Sequence, residues 1–187
     1  MRLFVAIDLD DLARQAIAAE QLRIAGSLAP RHSSIRWVDP ARLHLTLAFL
    51  GQVAETVTPA IVEAMSTAID VARFTAVFQG LGVFPPHRAP RILWLGVSDG
   101  ARQMGLVHRA VASRLRALGV AVEERSFHAH LTLARWRTSR AGDAPRALAC
   151  DRRAIVADAT VDHVTLYHSQ RLPAGPRYLP LARATLS

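Results

Sequence analysis

The pentapeptide His-Leu-Thr-Leu-Ala occurs twice in this chain of 187 residues, once from His44 to Ala48 and again from His130 to Ala134. Successive residues of a strand point to opposite faces. His44, Thr46 and Ala48 therefore share one face, and Leu43, Leu45, Leu47 and Phe49 share the other, which is expected to be the core. In the second copy His130, Thr132 and Ala134 face one way and Leu131 and Leu133 the other. Each strand presents an imidazole beside a hydroxyl, with an alanine leaving room beyond them. One His-x-Thr is short and common, and alone it reads as a strand face satisfied by its neighbours. Two copies at matching places point to chemistry. Imidazole titrates near pH 6.5, so two of them facing one cleft make an acid–base pair at neutral pH. Threonine hydroxyls can donate to the oxygens of a bound phosphate. No serine or cysteine stands beside either histidine, so the attacking group is expected to be water or a hydroxyl of the substrate itself.

The elements that must position these strands also recur. "RLFVAID" (2–8) reads as a strand, followed by a helix capped by Asp10 or Asp11 with Leu12, Ala16, Ile17 and Leu22 on its inner face. "IRWV" (35–38) is a short strand before an Asp39-Pro40 turn, and the first histidine strand is expected from Leu43 to Leu50, stopping at Gly51. A second helix is expected at Thr58-Pro59, with threonine as cap and Ile61, Val62, Met65, Ala68 and Ile69 at helical spacing. A glycine-interrupted strand (74–84) and a loop "PPHRAPR" (85–91) follow. The pattern then restarts: "RILWLGV" (91–97), a helix capped by Asp99 with Met104, Val107, Val111, Leu115 and Leu118 inside and closed by Gly119, a short strand "VAVEE" (120–124), and the second histidine strand. From Arg2 to His44 is 42 residues and from Arg91 to His130 is 39. Repeat units of about 2–51 and 91–136 within one bilobal domain, 1–187, are the reading. The tail is expected to hold a flexible basic loop (137–146), a long apolar strand near 155–168 and a last strand near 177–182. The fold class is α+β: two pseudo-twofold-related lobes, each an antiparallel sheet with helices on its outer face, and a central cleft where the histidine strands meet.

Composition narrows the function classes. Hydrophobic residues are 51% of the chain, enough for a sizeable core. The formal charge is +8 with histidine neutral, and every one of the 23 basic residues is an arginine. Arginine forks suit phosphate, and such a balance favours a nucleic acid, nucleotide or anionic partner. With Cys150 as the lone cysteine no intrachain disulfide is possible, which fits a reducing cytoplasm. The first residues lack the pattern of a signal peptide, and no apolar run approaches the roughly 20 residues that span a bilayer. The expectation is a soluble cytoplasmic monomer without a membrane or an obligate protein partner.

In order, the segments "RLFVAIDL", "HLTLAFLG", "PRILWLGV", "HLTLAR" and "RYLPLA" resemble the RNA 2′,3′-cyclic phosphodiesterases, long called 2′–5′ RNA ligases, of the two-histidine phosphoesterase superfamily. The resemblance covers nearly the whole chain. Ala129 stands where the family usually has proline, which bears on the strand entry and not on the histidine pair. The resemblance implies that an RNA or nucleotide 2′,3′-cyclic phosphate lies between the strands. His130 accepts a proton from the attacking water, and His44 donates one to the departing 3′ oxygen. Thr46 and Thr132 bind the phosphate. No metal and no cofactor is implied.

Further candidates are less settled by sequence. The family uses an arginine after the second motif, but strand parity puts Arg135 on the face of Leu131 and Leu133 unless a bulge redirects it. Phe49 has the same parity and reads as core, with substrate contact as its other possibility. Arg88 and Arg91 can rim the cleft and hold RNA, or stand in a solvated loop. His128 and His130 have a His-x-His spacing that also suits zinc, and Cys150, His163 and His168 complete a site on paper. Isolated His32 and His108 read as surface residues. Two alternatives stand beside hydrolysis: ATP-independent 2′–5′ joining of RNA ends, and an RNA-binding module whose histidines do no chemistry.

Overall fold

Arg2–Asp8 forms β1, a run of five buried residues from Leu3 to Ile7, and it lies at the centre of a sheet because both its faces are covered. The computed structural model describes residues 1–28, 33–122, 126–173 and 175–187. After β1 come α1 (Asp11–Ser27), β2 (Ser34–Trp37), a single 3-10 turn (Pro40–Arg42), β3 (His44–Gln52), α2 (Thr58–Ala64) and β4 (Phe74–Phe84). They are followed by β5 (Ile92–Asp99), α3 (Ala101–Ala117), β6 (His130–Thr138), α4 (Asp143–Leu148), β7 (Ile155–Val161), β8 (His163–Leu172) and β9 (Gly175–Thr185). None of the described helices is long and apolar enough to cross a membrane.

The strands make two antiparallel sheets, in the orders β3-β1-β8-β9 and β2-β6-β5-β4-β7. The fold is therefore α+β with two lobes. In both sheets a histidine strand, β3 or β6, pairs with the first strand of its own half, β1 or β5. The histidine strands touch each other where the lobes meet. The lobes are also interlocked. The first-half strand β2 pairs with β6 in the second sheet, α1 packs against β7 there, and α3 packs against β3 of the first sheet.

Local signals placed the start of α1 but not its phase. Asp10 is the cap, its Oδ1 accepting from the Ala13 N–H at 2.8 Å. The buried stripe is Ala13, Ile17, Glu20, Gln21 and Ile24, while Leu12 is 80% and Leu22 76% exposed. Two polar residues take the inward face because they find polar partners there. Glu20 receives Arg23 Nε at 2.8 Å and Arg152 Nη2 at 2.7 Å, and Arg23 reaches on to the Cys150 carbonyl at 2.6 Å. These guanidinium hydrogen bonds, Arg23 foremost, hold the Glu20 carboxyl below the usual range against the opposing effect of burial. Glu20→Ala removes the shared acceptor of two guanidiniums that themselves reach solvent, and thermal or urea unfolding should show a loss of about 1–2 kcal/mol.

Other boundaries differ from expectation for identifiable reasons. Thr58 is the first residue of α2 and not its cap; its hydroxyl donates to the Ala54 carbonyl at 3.1 Å, and the helix ends at Ala64, before Ala68 and Ile69. Asp99 lies one residue short of capping α3. Its Oδ1 takes the Gly100 N–H at 2.8 Å, and Gly100, at φ 83°, makes the turn into the helix. Met104, Val107, Val111 and Leu115 line the inner face of α3 as expected, and Gly119 closes it at φ 72°. The strand expected over 120–124 is absent at 120–122, and 123–124 lie outside the described residues. The region 137–146 is not a loop throughout. It holds the end of β6 and the start of α4, where buried Asp143 accepts the Arg140 N–H at 2.9 Å and the Ser33 hydroxyl at 3.2 Å. The single strand expected near 155–168 is two, β7 and β8, broken at Asp162 and placed in different sheets.

Candidate active site

The sequence pattern of β3 and β6 puts His and Thr on one face, and the burial agrees from His44 to Leu47 and from His130 to Leu133. His44, Thr46, His130 and Thr132 are half-buried, with Leu45, Leu47, Leu131 and Leu133 in the core. The two imidazoles are held alike. His44 Nδ1 lies 2.8 Å from the Arg42 carbonyl, and His130 Nδ1 lies 2.8 Å from the His128 carbonyl. A carbonyl only accepts, so Nδ1 carries the proton in both rings and Nε2 is the nitrogen left to titrate. His44 Nε2 sits 3.1 Å from Thr46 Oγ1.

Aromatic walls enclose each ring. Phe4 and Tyr178 lie at centroid distances of 5.1 and 5.3 Å from His44, and Phe84 and Trp94 at 5.1 and 6.1 Å from His130. A Cβ at Gly82 would run into the Trp94 indole, so that glycine lets the ring lie against the strand. Burial therefore pushes both imidazoles below their ordinary value of 6.5. The smaller influences differ between them. The Arg42 carbonyl and the nearby Asp8 carboxylate favour protonated His44, against Arg135 and Arg14. His130 gains from the His128 carbonyl but is opposed by the charges of His128 and Arg135. Asp8 stands opposite His44 in the β1–β3 register and is fixed by Thr165 Oγ1 at 2.7 Å and Tyr167 OH at 2.6 Å. Burial pushes the Tyr167 phenol up, so it remains a donor to Asp8.

Both histidine strands carry a bulge directly after the threonine. Ala6 pairs with Thr46 and Val5 with Ala48, leaving Leu47 as the extra residue; Trp94 pairs with Thr132 and Leu93 with Ala134, leaving Leu133. A bulge inverts the alternation beyond it. Phe49 is accordingly not core: it is 53% exposed and lies 6.2 Å from the Phe4 ring that packs on His44. Arg135, exposed between buried Ala134 and Trp136, is redirected in the same way, and its charge acts on both histidines.

Arg88 and Arg91 are exposed on the β4–β5 hairpin loop, whose first neighbour Phe84 packs edge-on against His130. The paper zinc site does not assemble: among the described residues no three His, Cys, Asp or Glu side chains gather as metal ligands. His163 instead sits 3.4 Å from Asp8, and Cys150 Sγ donates to the Arg146 carbonyl at 3.5 Å. His32 lies outside the described residues. His108 is half-buried and bonded to the Leu47 carbonyl at 2.9 Å, so it is not a free surface residue. Sequence reasoning missed Phe4, Asp8, Phe84, Trp94 and Tyr167 as neighbours of the pair. Only pairing between strands brings them there.

Two cavities flank the pair. One, of about 430 Å³, is lined by His44 with Asp8, Arg14, Arg42, Arg177 and Tyr178; the other, of about 670 Å³, by His128 and Ala129 with Trp94, Arg102, His108 and Arg109. Each histidine strand offers a titrating nitrogen and a hydroxyl, the Arg135 charge reaches both imidazoles, and arginine-lined cavities lie beside His44 and beside His128.

The sequence profile of the 2′-5′ RNA ligase superfamily matches residues 10–172 of the chain. An RNA 2′,3′-cyclic phosphodiesterase of Archaeoglobus fulgidus is 36% identical over 135 residues, 72% of this chain and 72% of that protein. One from Methanothermobacter thermautotrophicus is 31% identical over 180 residues, 95% of each chain. The crystal structure of E. coli LigT complexed with 3′-AMP superposes with a TM-score of 0.75 at 29% identity, covering 100% of this chain and 98% of that one.

Proposed function

The chain belongs to the 2′-5′ RNA ligase superfamily, and from that premise we propose that it hydrolyses RNA 2′,3′-cyclic phosphate ends to 2′-phosphate ends by two-histidine acid–base catalysis without a metal. The observation that carries this reading is the matched pair of imidazoles, each with Nδ1 tied to the carbonyl two residues before it and each beside a threonine. His130 Nε2 takes a proton from water as the water oxygen bonds to phosphorus. The phosphorus–O3′ bond breaks, and His44 Nε2 gives its proton to O3′. The products are a 2′-phosphate monoester and a 3′-hydroxyl, and solvent resets the two protons. Thr46, Thr132 and Arg135 hold the non-bridging oxygens. The assignment of acid and base is supported by Asp8, which favours protonated His44, and by the charge of His128, which opposes protonation of His130; Arg135 acts on both alike. Crystallisation of LigT with 3′-AMP supports a nucleotide carrying a ribose phosphate as the ligand. Arg88 and Arg91 rim the site for longer RNA, and Phe49 offers a base-stacking face.

The same reading takes the chain as one bilobal domain built by internal duplication, acting as a cytoplasmic monomer without cofactor. End joining is the same chemistry with a 5′-hydroxyl in place of water; water at about 55 M favours hydrolysis unless the ends are held together. The test is turnover of a 2′,3′-cyclic nucleotide in excess chelator, with the phosphate position in the product read by phosphorus NMR. A 2′-phosphate formed at an undiminished rate is expected. Loss in chelator with recovery on zinc establishes a metal hydrolase instead, and tight binding without turnover establishes a binding module.

A bell-shaped dependence of kcat/KM on pH is expected, because one imidazole must be neutral and the other protonated. Burial holds both histidines below 6.5, so the acid limb falls below that value. A rate flat from about pH 5 to 9, with chemistry rate-limiting, is incompatible with two working histidines.

A further inference from the structure

The extra residues of the two bulges are held by helices of the opposite halves. Gln21 of α1 is 5% exposed, and its amide donates to the Leu133 carbonyl at 2.9 Å and to the Val38 carbonyl at 3.0 Å. The Leu133 carbonyl also accepts the Val38 N–H at 2.9 Å, so β2, β6 and α1 are joined at one point. In the other half His108 of α3 donates from Nδ1 to the Leu47 carbonyl at 2.9 Å, with its ring stacked on Phe127 at 4.6 Å and 11°. Neither polar side chain belongs to the histidine face, and neither position has a place in the proton transfers.

We infer that Gln21 and His108 are positioning residues for the reaction: by holding the bulges at Leu133 and Leu47 they keep Arg135 and Phe49 on the histidine face. The inference rests on the phosphodiesterase reading for the roles of Arg135 and Phe49. A bulge leaves a strand without its regular pairing at one residue; the Leu47 carbonyl there accepts from His108, and the Leu133 carbonyl, already bonded to the Val38 N–H, takes a second donor from Gln21, which also satisfies the Val38 carbonyl. Without these side-chain contacts the competing arrangement is the regular ladder, in which every residue beyond the threonine changes face. His44, Thr46, His130 and Thr132 precede the bulges and keep their face either way. Phe49 and Arg135 follow the bulges and do not. The two strands differ in how strongly they resist the change. Regular pairing of β6 would turn the Arg135 guanidinium into the core, which is self-penalising. Regular pairing of β3 would bury Phe49, an apolar ring, so the His108 donor carries more of the selection there.

Double-mutant cycles test this against simple destabilisation. With Arg135 present, Gln21→Leu is expected to lower kcat/KM on a 2′,3′-cyclic nucleotide about tenfold, and in the Arg135→Ala background less than about twofold. His108→Leu should raise KM about fivefold with kcat nearly unchanged, do nothing further in the Phe49→Ala background, and be rescued by His108→Gln, which keeps a donor. Amide hydrogen exchange supplies a readout independent of turnover. The amides of Arg135 and Phe49 should exchange faster in the respective variants while those of β1 stay protected. Equal fold-losses in both backgrounds, or unchanged exchange at Arg135 and Phe49, overturn the inference. Should Gln21→Leu not fold, the half-buried His108 arm decides alone. Should the wild type leave cyclic nucleotides intact, the phosphodiesterase reading falls while the exchange measurement still decides whether the helices hold the bulges.

Discussion

Replacing His44 or His130 is expected to lower kcat/KM on a 2′,3′-cyclic nucleotide by about 10³-fold or more, since a positioned acid or base contributes roughly 10²–10⁴-fold and each also lines the proposed phosphate site. Asparagine is the informative substitution beside alanine. Its amide can donate to the Arg42 or His128 carbonyl as Nδ1 does now, while the nitrogen that moves the proton is gone. The variants should stay folded, because each ring is only half-buried and its neighbours Phe4, Tyr178, Phe84 and Trp94 remain in place. Losing His44 should remove the alkaline limb from whatever activity survives, and losing His130 the acid limb. Retention of more than about a few per cent of activity with unchanged unfolding removes that histidine from the mechanism.

Arg135→Ala is the second large effect, a loss of about 10²-fold in kcat/KM, the size seen when one preorganised donor to a developing oxyanion is removed. Lysine should restore only part of it, keeping the charge but not the two-pronged fork. The pH profile supplies a sign that a purely structural role does not produce. The guanidinium charge holds both imidazoles down, so its removal lets both rise toward 6.5. The acid limb of kcat/KM should therefore move to higher pH in Arg135→Ala. An activity within about twofold of wild type, or a loss with the acid limb unmoved, excludes Arg135 from the phosphate site.

Much of this was legible before any coordinates. The repeated His-Leu-Thr-Leu-Ala, with its apolar residues at every second place, dictates two strands that each show an imidazole and a hydroxyl on one face. Asp10 marks the start of α1, and Met104, Val107, Val111 and Leu115 mark the buried stripe of α3. These features are set by neighbours in the chain, through the period of the element and the capping of its first turn. The phase of α1 was not legible, because its inward residues Glu20 and Gln21 are polar and their partners Arg152, Leu133 and Val38 lie far along the chain. Nor was it visible that β2 leaves its own half to pair with β6, a choice made by edges that exist only once both sheets form. The faces of Phe49 and Arg135 are the clearest division. Strand alternation assigns both to the core, and only the pairing of β3 with β1 and of β6 with β5 inserts the extra residue that turns them outward. A bulge belongs to two strands and not to one, so the alternation of a single strand can carry the residues proposed to do the chemistry but not the face on which the arginine stands.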